Sequence, residues 1–568
     1  MVKGNRDDSL LQARFSLLRT EMAQFLDPDT YDLLYQAVAD VQDAVSVLRT
    51  VPLDYSDPPD WPIPVPASSQ KIDRLLPGQG PHALPSFSPS DLPFAPVWQL
   101  AGWLRNGLTT PQEMTDLFLD RLQRHDPILH TTAALLTQRA HRAAQRAMLE
   151  LQNGRDRGWL HGISYGAKDL LAVAGAPTTW GAEPLRNQWF SDDAGVIRRL
   201  ERAGAILLAK LAMVELAGGA GYERPEASWS GPGVNPWNIQ HWSGGSSSGT
   251  ASAVSAGLLP WGIGTETWGS ILGPSAFCGL SGLRPSLGRV DGSGAMVLSW
   301  TLDKIGPMCR DAWDCGLALE AMTTTVANET QPRPWFFQPH PDRSFRLAVV
   351  AHASASALSE IAQHFASSLQ LLAKQSSITE VTPPDLPISE CTQVILSAEM
   401  AAAFERFYLS GLPRTLSAPE DRYRGYANFT VNARDYLQAL RVRGKIRRWY
   451  QEYLSPFDAV LFPTVPSEPP PLGQHFSKRT ESSDGTTSSS SQSKEPSSQP
   501  SSRNACIIQA LGCLLGLPAM SVPMGFTARG FPSGLTLMGS LGNEQAILDV
   551  AIAFQQQTEW HCSHPDWT

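Results

Sequence analysis

The sequence predicts an α/β fold in which a central mixed sheet is wrapped by helices, with a helical annex ahead of it. Three observations carry that expectation. From Lys168 onward short apolar runs alternate with helical patterns, as in Ala194–Ala203 followed by Ala205–Lys210, and such alternation implies βαβ units. Two Gly-Ser clusters, Ser243–Gly249 and Gly264–Pro274, are each bounded by apolar sequence typical of a core, which a flexible linker lacks. No internal repeat of solenoid length is visible. With 568 residues, 42% of them hydrophobic, the chain can bury a sizeable core and exceeds one ordinary domain.

In order, residues 1–50 read as a helical hairpin: Leu10, Leu11, Phe15, Leu18, Met22 and Phe25 share one face, Asp27-Pro28 breaks the pattern, and Leu33, Leu34, Val38, Val41, Val45 and Leu48 resume it. Residues 51–96 are proline-rich and should cross the surface as extended chain. Residues 97–568 form the large domain. Thr110-Pro-Gln-Glu113 has capping-box spacing with proline at the first helical position, and a second helix over Thr137–Gln152 ends at Asn153-Gly154. His161–Leu170 reads as a short strand running into a turn around Lys168, Phe345–Val350 and Ala459–Phe462 as further strands, and Asp435–Tyr453 as a basic amphipathic helix. A Ser-rich insertion at about 474–503 cannot bury a core and is expected to be disordered.

Composition excludes several classes. A net charge of −9 and a pI near 5.8 leave no basic footprint for nucleic acid, so small-molecule partners are expected. Seven scattered cysteines, without Cys-x-x-Cys or matched histidine spacing, indicate neither a disulfide framework nor a metal site, and fit a reducing, cytoplasmic setting. The polar start of the chain lacks a secretory apolar region. The most apolar window, Cys506–Met524, holds Gln509 and Pro518 and splits into a helix and a buried strand, so no membrane span is expected. The annex could cover the domain, form a homodimer, or simply lengthen the chain.

The glycines of the two clusters read as backbone tools, permitting positive φ and close approach, while the serines after them bring hydroxyls and N–H groups to a helix start. That suits acyl transfer. A serine hydroxyl needs a base, and no His-Asp pair in a nucleophile-elbow setting presents itself; a lysine serves if burial leaves it neutral near neutral pH. Lys168, Ser246 and Ser270 are spaced by 78 and 24 residues. With Asn235-Pro-Trp-Asn238, Ala276–Pro285, Leu302-Asp-Lys-Ile-Gly-Pro307 and Leu517–Pro523, their order resembles the amidase signature family from about Phe94 to the C-terminus.

The resemblance implies Ser270 as nucleophile, Ser246 as bridging proton shuttle after a cis Gly245–Ser246 peptide, and Lys168 as base. It further implies an oxyanion hole from the backbone N–H groups of Thr267, Trp268, Gly269 and Ser270, with neither cofactor nor metal. Read singly, Lys168 is as well a solvated strand-end lysine, Ser246 a helix N-cap and Ser270 a turn serine. The histidines receive no role. Three positions depart from the family pattern: Trp268 replaces a glycine, Leu272 an arginine, and Ser164 a common proline. Trp268 and Leu272 are therefore pocket candidates favouring neutral, apolar or aromatic amides over carboxylated ones, unless both side chains pack into the core. The resemblance implies an amidase acting on a small-molecule amide. Two alternatives stand beside it, a glutaminase-type subunit of a tRNA-dependent amidotransferase and a non-catalytic scaffold on the same fold.

Overall fold

The computed structural model describes residues 8–61, 75–77, 80–323, 334–473 and 503–567, apart from the side chains of 220, 221 and 503–506. Of the Ser-rich insertion, 474–502 lie outside the described residues, as do 62–74 and 78–79 of the proline-rich stretch.

Among the described residues eleven strands form one sheet: β1 (Thr132–Leu135), β2 (Ser164–Lys168), β3 (Ile206–Leu211), β4 (Gly262–Glu266), β5 (Ser281–Arg284), β6 (Lys304–Cys309), β7 (Arg346–Val350), β8 (Ser377–Val381), β9 (Ala459–Pro463), β10 (Ala519–Phe526) and β11 (Pro532–Met538). Their spatial order is β1-β3-β2-β4-β6-β5-β10-β11-β9-β7-β8. The sheet is mixed, for β2 runs parallel to β3 and β4, and β7 parallel to β8 and β9, while the other neighbours pair antiparallel. Strands β2, β3, β4 and β6 are buried at every position and show no alternation, and each holds a single charged residue, Lys168, Lys210, Glu266 and Lys304 respectively.

Seven helices matter below: α1 (Asp8–Glu21), α2 (Tyr31–Arg49), α3 (Pro111–Leu129), α4 (Ser248–Ser255), α5 (Leu272–Cys278), α6 (Ile388–Ala403) and α7 (Ala433–Tyr453). α3 starts with the capping box, Thr110 and Glu113 satisfying each other's backbone N–H. α4, built of Ser, Gly, Ala, Thr and Val, is buried along its whole length. A side chain at Gly249 would strike the backbone of Thr131 and Ala212, so the small residues allow α4 to lie close against the chain beyond β3.

The annex is fastened to the sheet domain by charge as well as by apolar contact. α2 packs on α6, on α7 and on residues 424–430. The buried Asp435 in the first turn of α7 accepts from Arg14 at 2.7 Å and Arg49 at 2.6 Å, drawing α1 and α2 onto one carboxylate. Further along α7, Arg441 and Arg443 donate to the carbonyls of Asp57 and Asp60, while Arg447 and Arg448 pair with the carboxylates of Asp60 and Asp57. The basic helix seen in the sequence thus clamps the start of the proline-rich stretch.

Candidate active site

Parallel strands β2 and β4 end side by side, and the candidate residues gather beyond their carboxyl ends, where open α/β sheets commonly bind ligands. Lys168 is the last residue of β2 and is 0% exposed. Its Nζ lies 2.7 Å from Ser246 Oγ, 3.1 Å from Ser247 Oγ, 3.0 Å from Thr265 Oγ1 and 3.3 Å from the Thr265 carbonyl. None of these partners is a carboxylate. Burial pushes the amine down to about 7, against the pull of Asp303 and Glu266 acting through space. The Thr265 carbonyl can only accept, so one N–H goes there, and a neutral amine keeps its lone pair for the Ser246 hydroxyl.

The peptide between Gly245 and Ser246 is cis, as the resemblance implies. Ser246 is not the N-cap of α4; Ser247 holds that place without a side-chain cap bond, and spends its hydroxyl on Lys168 and Thr265. Ser270 points its hydroxyl at the phenol of Tyr222, 2.7 Å away. Ser246 lies near the same phenol. Among the described residues Ser246 and Ser270 share no direct hydrogen bond, and the Tyr222 phenol meets the Ser270 hydroxyl instead. The Tyr222 ring is 37% exposed, yet burial around its hydroxyl raises the phenol's pKa and keeps it protonated.

The turn carrying Ser270 is held from three sides. Gly269 takes φ +88°, which favours glycine. Thr267 Oγ1 donates to Asp303 at 2.6 Å, and Asp303 in turn accepts from the N–H groups of Leu298 and Ser299. Glu266 accepts from the N–H groups of Ile271 and Leu272 at 2.8 and 3.0 Å, and pairs with Arg284 at 2.7 Å in a fully buried ion pair. Burial would raise Glu266, but Arg284 and those N–H groups hold it below the usual carboxylate range. Among the described residues the N–H groups of Thr267, Trp268 and Ser270 have no protein acceptor, and they are free to meet a developing oxyanion. The Gly269 N–H lies near the Cys513 thiol.

The two pocket candidates separate. Leu272 opens α5 and is 1% exposed within the core, so it forms no wall open to substrate. Trp268 packs against the core but is only partly buried. Ser164, at the start of β2, is buried away from these groups. Sequence reasoning missed Tyr222, Thr265, Ser247 and the braces Glu266, Arg284 and Asp303. The last three lie inside the motif words that carry the resemblance, whereas nothing marks Tyr222 but the glycines before it. Among the described residues no group of three His, Cys, Asp or Glu is placed to hold a metal ion, and no helix is long and apolar enough to cross a membrane.

Comparison with known proteins gives the family. The family model described as Amidase matches residues 113–548. The A-subunit of the glutamyl-tRNA(Gln) amidotransferase of Roseiflexus sp. (strain RS-1) is 31% identical over 498 residues, covering 82% of this chain and 96% of that protein. Its counterpart in Marinomonas sp. (strain MWYL1) is likewise 31% identical, over 82% and 97%. Among solved structures, an amidase superposes with TM-score 0.68 at 28% identity, over 82% of this chain and all of the other. The native peptide amidase of Stenotrophomonas maltophilia gives 0.68 at 26%, over 82% and 98%.

Proposed function

Because the chain belongs to the amidase family, we propose that it hydrolyses a carboxylic amide to an acid and ammonia or an amine, through an acyl-enzyme on Ser270. One observation carries the reading: a fully buried lysine, lowered to about 7, whose amine touches serine and threonine oxygens and no carboxylate. Neutral Lys168 takes the proton of Ser246, which takes that of Ser270 as its Oγ attacks the amide carbon. The carbonyl electrons move onto oxygen, facing the N–H groups of Thr267, Trp268 and Ser270. The same relay returns the proton to the leaving nitrogen, and water then cleaves the acyl ester by the reverse path. An amide carbonyl arriving at Ser270 displaces the Tyr222 hydroxyl and lets the two serines meet. Neither metal nor cofactor enters these steps. With Leu272 in the core, no cation stands at that position to pair a substrate carboxylate, so neutral or apolar acyl groups rank ahead of carboxylated ones.

The test has two parts. A fluorophosphonate probe should label the parent protein at Ser270 and leave Ser270→Ala unlabelled, and a panel of aliphatic, aryl and amino-acid amides should yield ammonia. An unlabelled parent protein would favour the scaffold alternative.

A second reading is favoured by the relatives that belong to glutamyl-tRNA(Gln) amidotransferases. In that case glutamine is the amide, ammonia is its product, and protein partners complete the assembly. Glutamine hydrolysis that appears only with co-expressed partner proteins would select this reading over the first.

A further inference from the structure

A cavity of about 400 Å³ opens beside the segment Gly219–Tyr222 whose phenol meets Ser270. Gly218, Gly219 and Glu223, on either side of Tyr222 in the chain, form part of its wall. Another part comes from Ala37, Asp40 and Val41 of α2, which lies outside the residues matched by the family model. The rest is Phe404, Met400 and neighbours from α6 to residue 428. The volume suits a small organic molecule.

The charges on this wall are unequal. Among the described residues, Asp40, Glu215, Glu223 and Asp421 stand against Arg424 as the one cation in the lining. Arg424 is already paired with Glu223 at 2.9 Å. Glu215 accepts from the N–H groups of Ser417 and Ala418, both at 2.9 Å, and burial raises its pKa; a neighbouring cation would oppose that rise. Asp40 accepts from the exposed Gln36 amide, at 3.0 Å. An excess of acid among apolar side chains such as Val41, Leu298 and Phe404 describes a guest with an apolar body and a positive end.

The geometry points to this cavity as the subsite for the acyl part of the substrate, taking an aliphatic or aryl chain that ends in a protonated amine, with α2 of the annex as a specificity wall. The inference rests on the amidase reading above and places an acyl chain with a cationic end ahead of the neutral ones ranked there. Anionic chains such as that of glutamate are disfavoured by the same wall.

The experiment measures kcat/KM for acetamide, pentanamide, 5-aminopentanamide and the glutaric monoamide anion, with fluorophosphonate labelling of Ser270 as an independent check on the nucleophile. 5-Aminopentanamide should exceed pentanamide by about tenfold and the anion by more. In Asp40→Lys the ratio of 5-aminopentanamide to acetamide should fall by about tenfold, and Ala37→Trp, which fills the α2 side, should lower the ratio for both five-carbon amides. Asp40 is exposed on α2, so its replacement tests the idea even if Ala37→Trp does not fold. Labelled protein that turns over amides with no preference for the amine, or with ratios unmoved by both variants, would overturn the subsite and leave the amidase reading standing. Absence of both labelling and turnover would overturn the amidase reading, and the subsite with it.

Discussion

Lys168 and Lys210 sit on adjacent parallel strands, one position apart from direct register, and both are 0% exposed. Lys210 meets a carboxylate, Asp169 at 2.6 Å, together with Thr178 Oγ1 at 2.7 Å. Lys168 meets three hydroxyls and a carbonyl. Burial pulls both amines down, but Asp169 pulls Lys210 back, while Lys168 feels Asp303 and Glu266 only through space. The same residue type in the same burial thus has a carboxylate partner in one place and only neutral oxygens in the other. The partner's chemistry sets the two apart, since only a carboxylate at contact offsets the desolvation of an ammonium.

The largest expected effect breaks the Lys168 side. Lys168→Met should lower kcat/KM by roughly 10⁴-fold at pH 7, with partial recovery in alkaline buffer, while stability stays level or rises. The sign follows from linkage: the folded value of about 7 lies below the 10.5 of an exposed lysine, so protonation favours the unfolded chain. That cost is fully present below pH 7 and fades as pH climbs toward 10.5. A Lys168→Met variant that melts far below the parent at about pH 6 would contradict it.

Lys210→Met should do the opposite, costing about 3–5 kcal/mol of stability by stranding Asp169, with activity following the folded fraction. Adding Asp169→Asn should restore part of the loss in a denaturation series; no restoration would deny the pair its structural role.

Next in size, kcat/KM should rise about tenfold per pH unit below 7 and level off above, as the neutral amine becomes populated. A profile flat from about pH 5 to 9 would remove Lys168 as the base.

The smallest effect concerns Tyr222. If its phenol must leave Ser270 before attack, Tyr222→Phe should raise kcat/KM by about fivefold, the worth of one hydrogen bond. A fall of that size would place the phenol in the proton path instead.

The α/β class was legible because buried parallel strands such as β3 leave short apolar runs, interrupted there only by Lys210, between helical patterns. Boundaries of Thr137–Gln152 matched because its end signals are local. β8 escaped notice, since it is a largely exposed edge strand that leaves no apolar pattern. In the site, Lys168, Ser246 and Ser270 were singled out by the family resemblance, and the structure puts the first two in contact while Ser270 meets Tyr222. Tyr222 was invisible because a single tyrosine after glycines has no local signature. Leu272 was ambiguous for a different reason: an apolar residue fits a pocket and a core equally, and only packing decides.

The carboxylate of Asp435 holds Arg14 from a distance of 421 residues along the chain. During synthesis at about 5–20 residues per second, α1 and α2 wait roughly 20–80 s for the helix that receives them. Through that interval α1 and α2 have each other, with Phe15 against Tyr35, but lack α7 and residues 424–430. Segments made long before α7 are thus among the last to dock on the sheet domain.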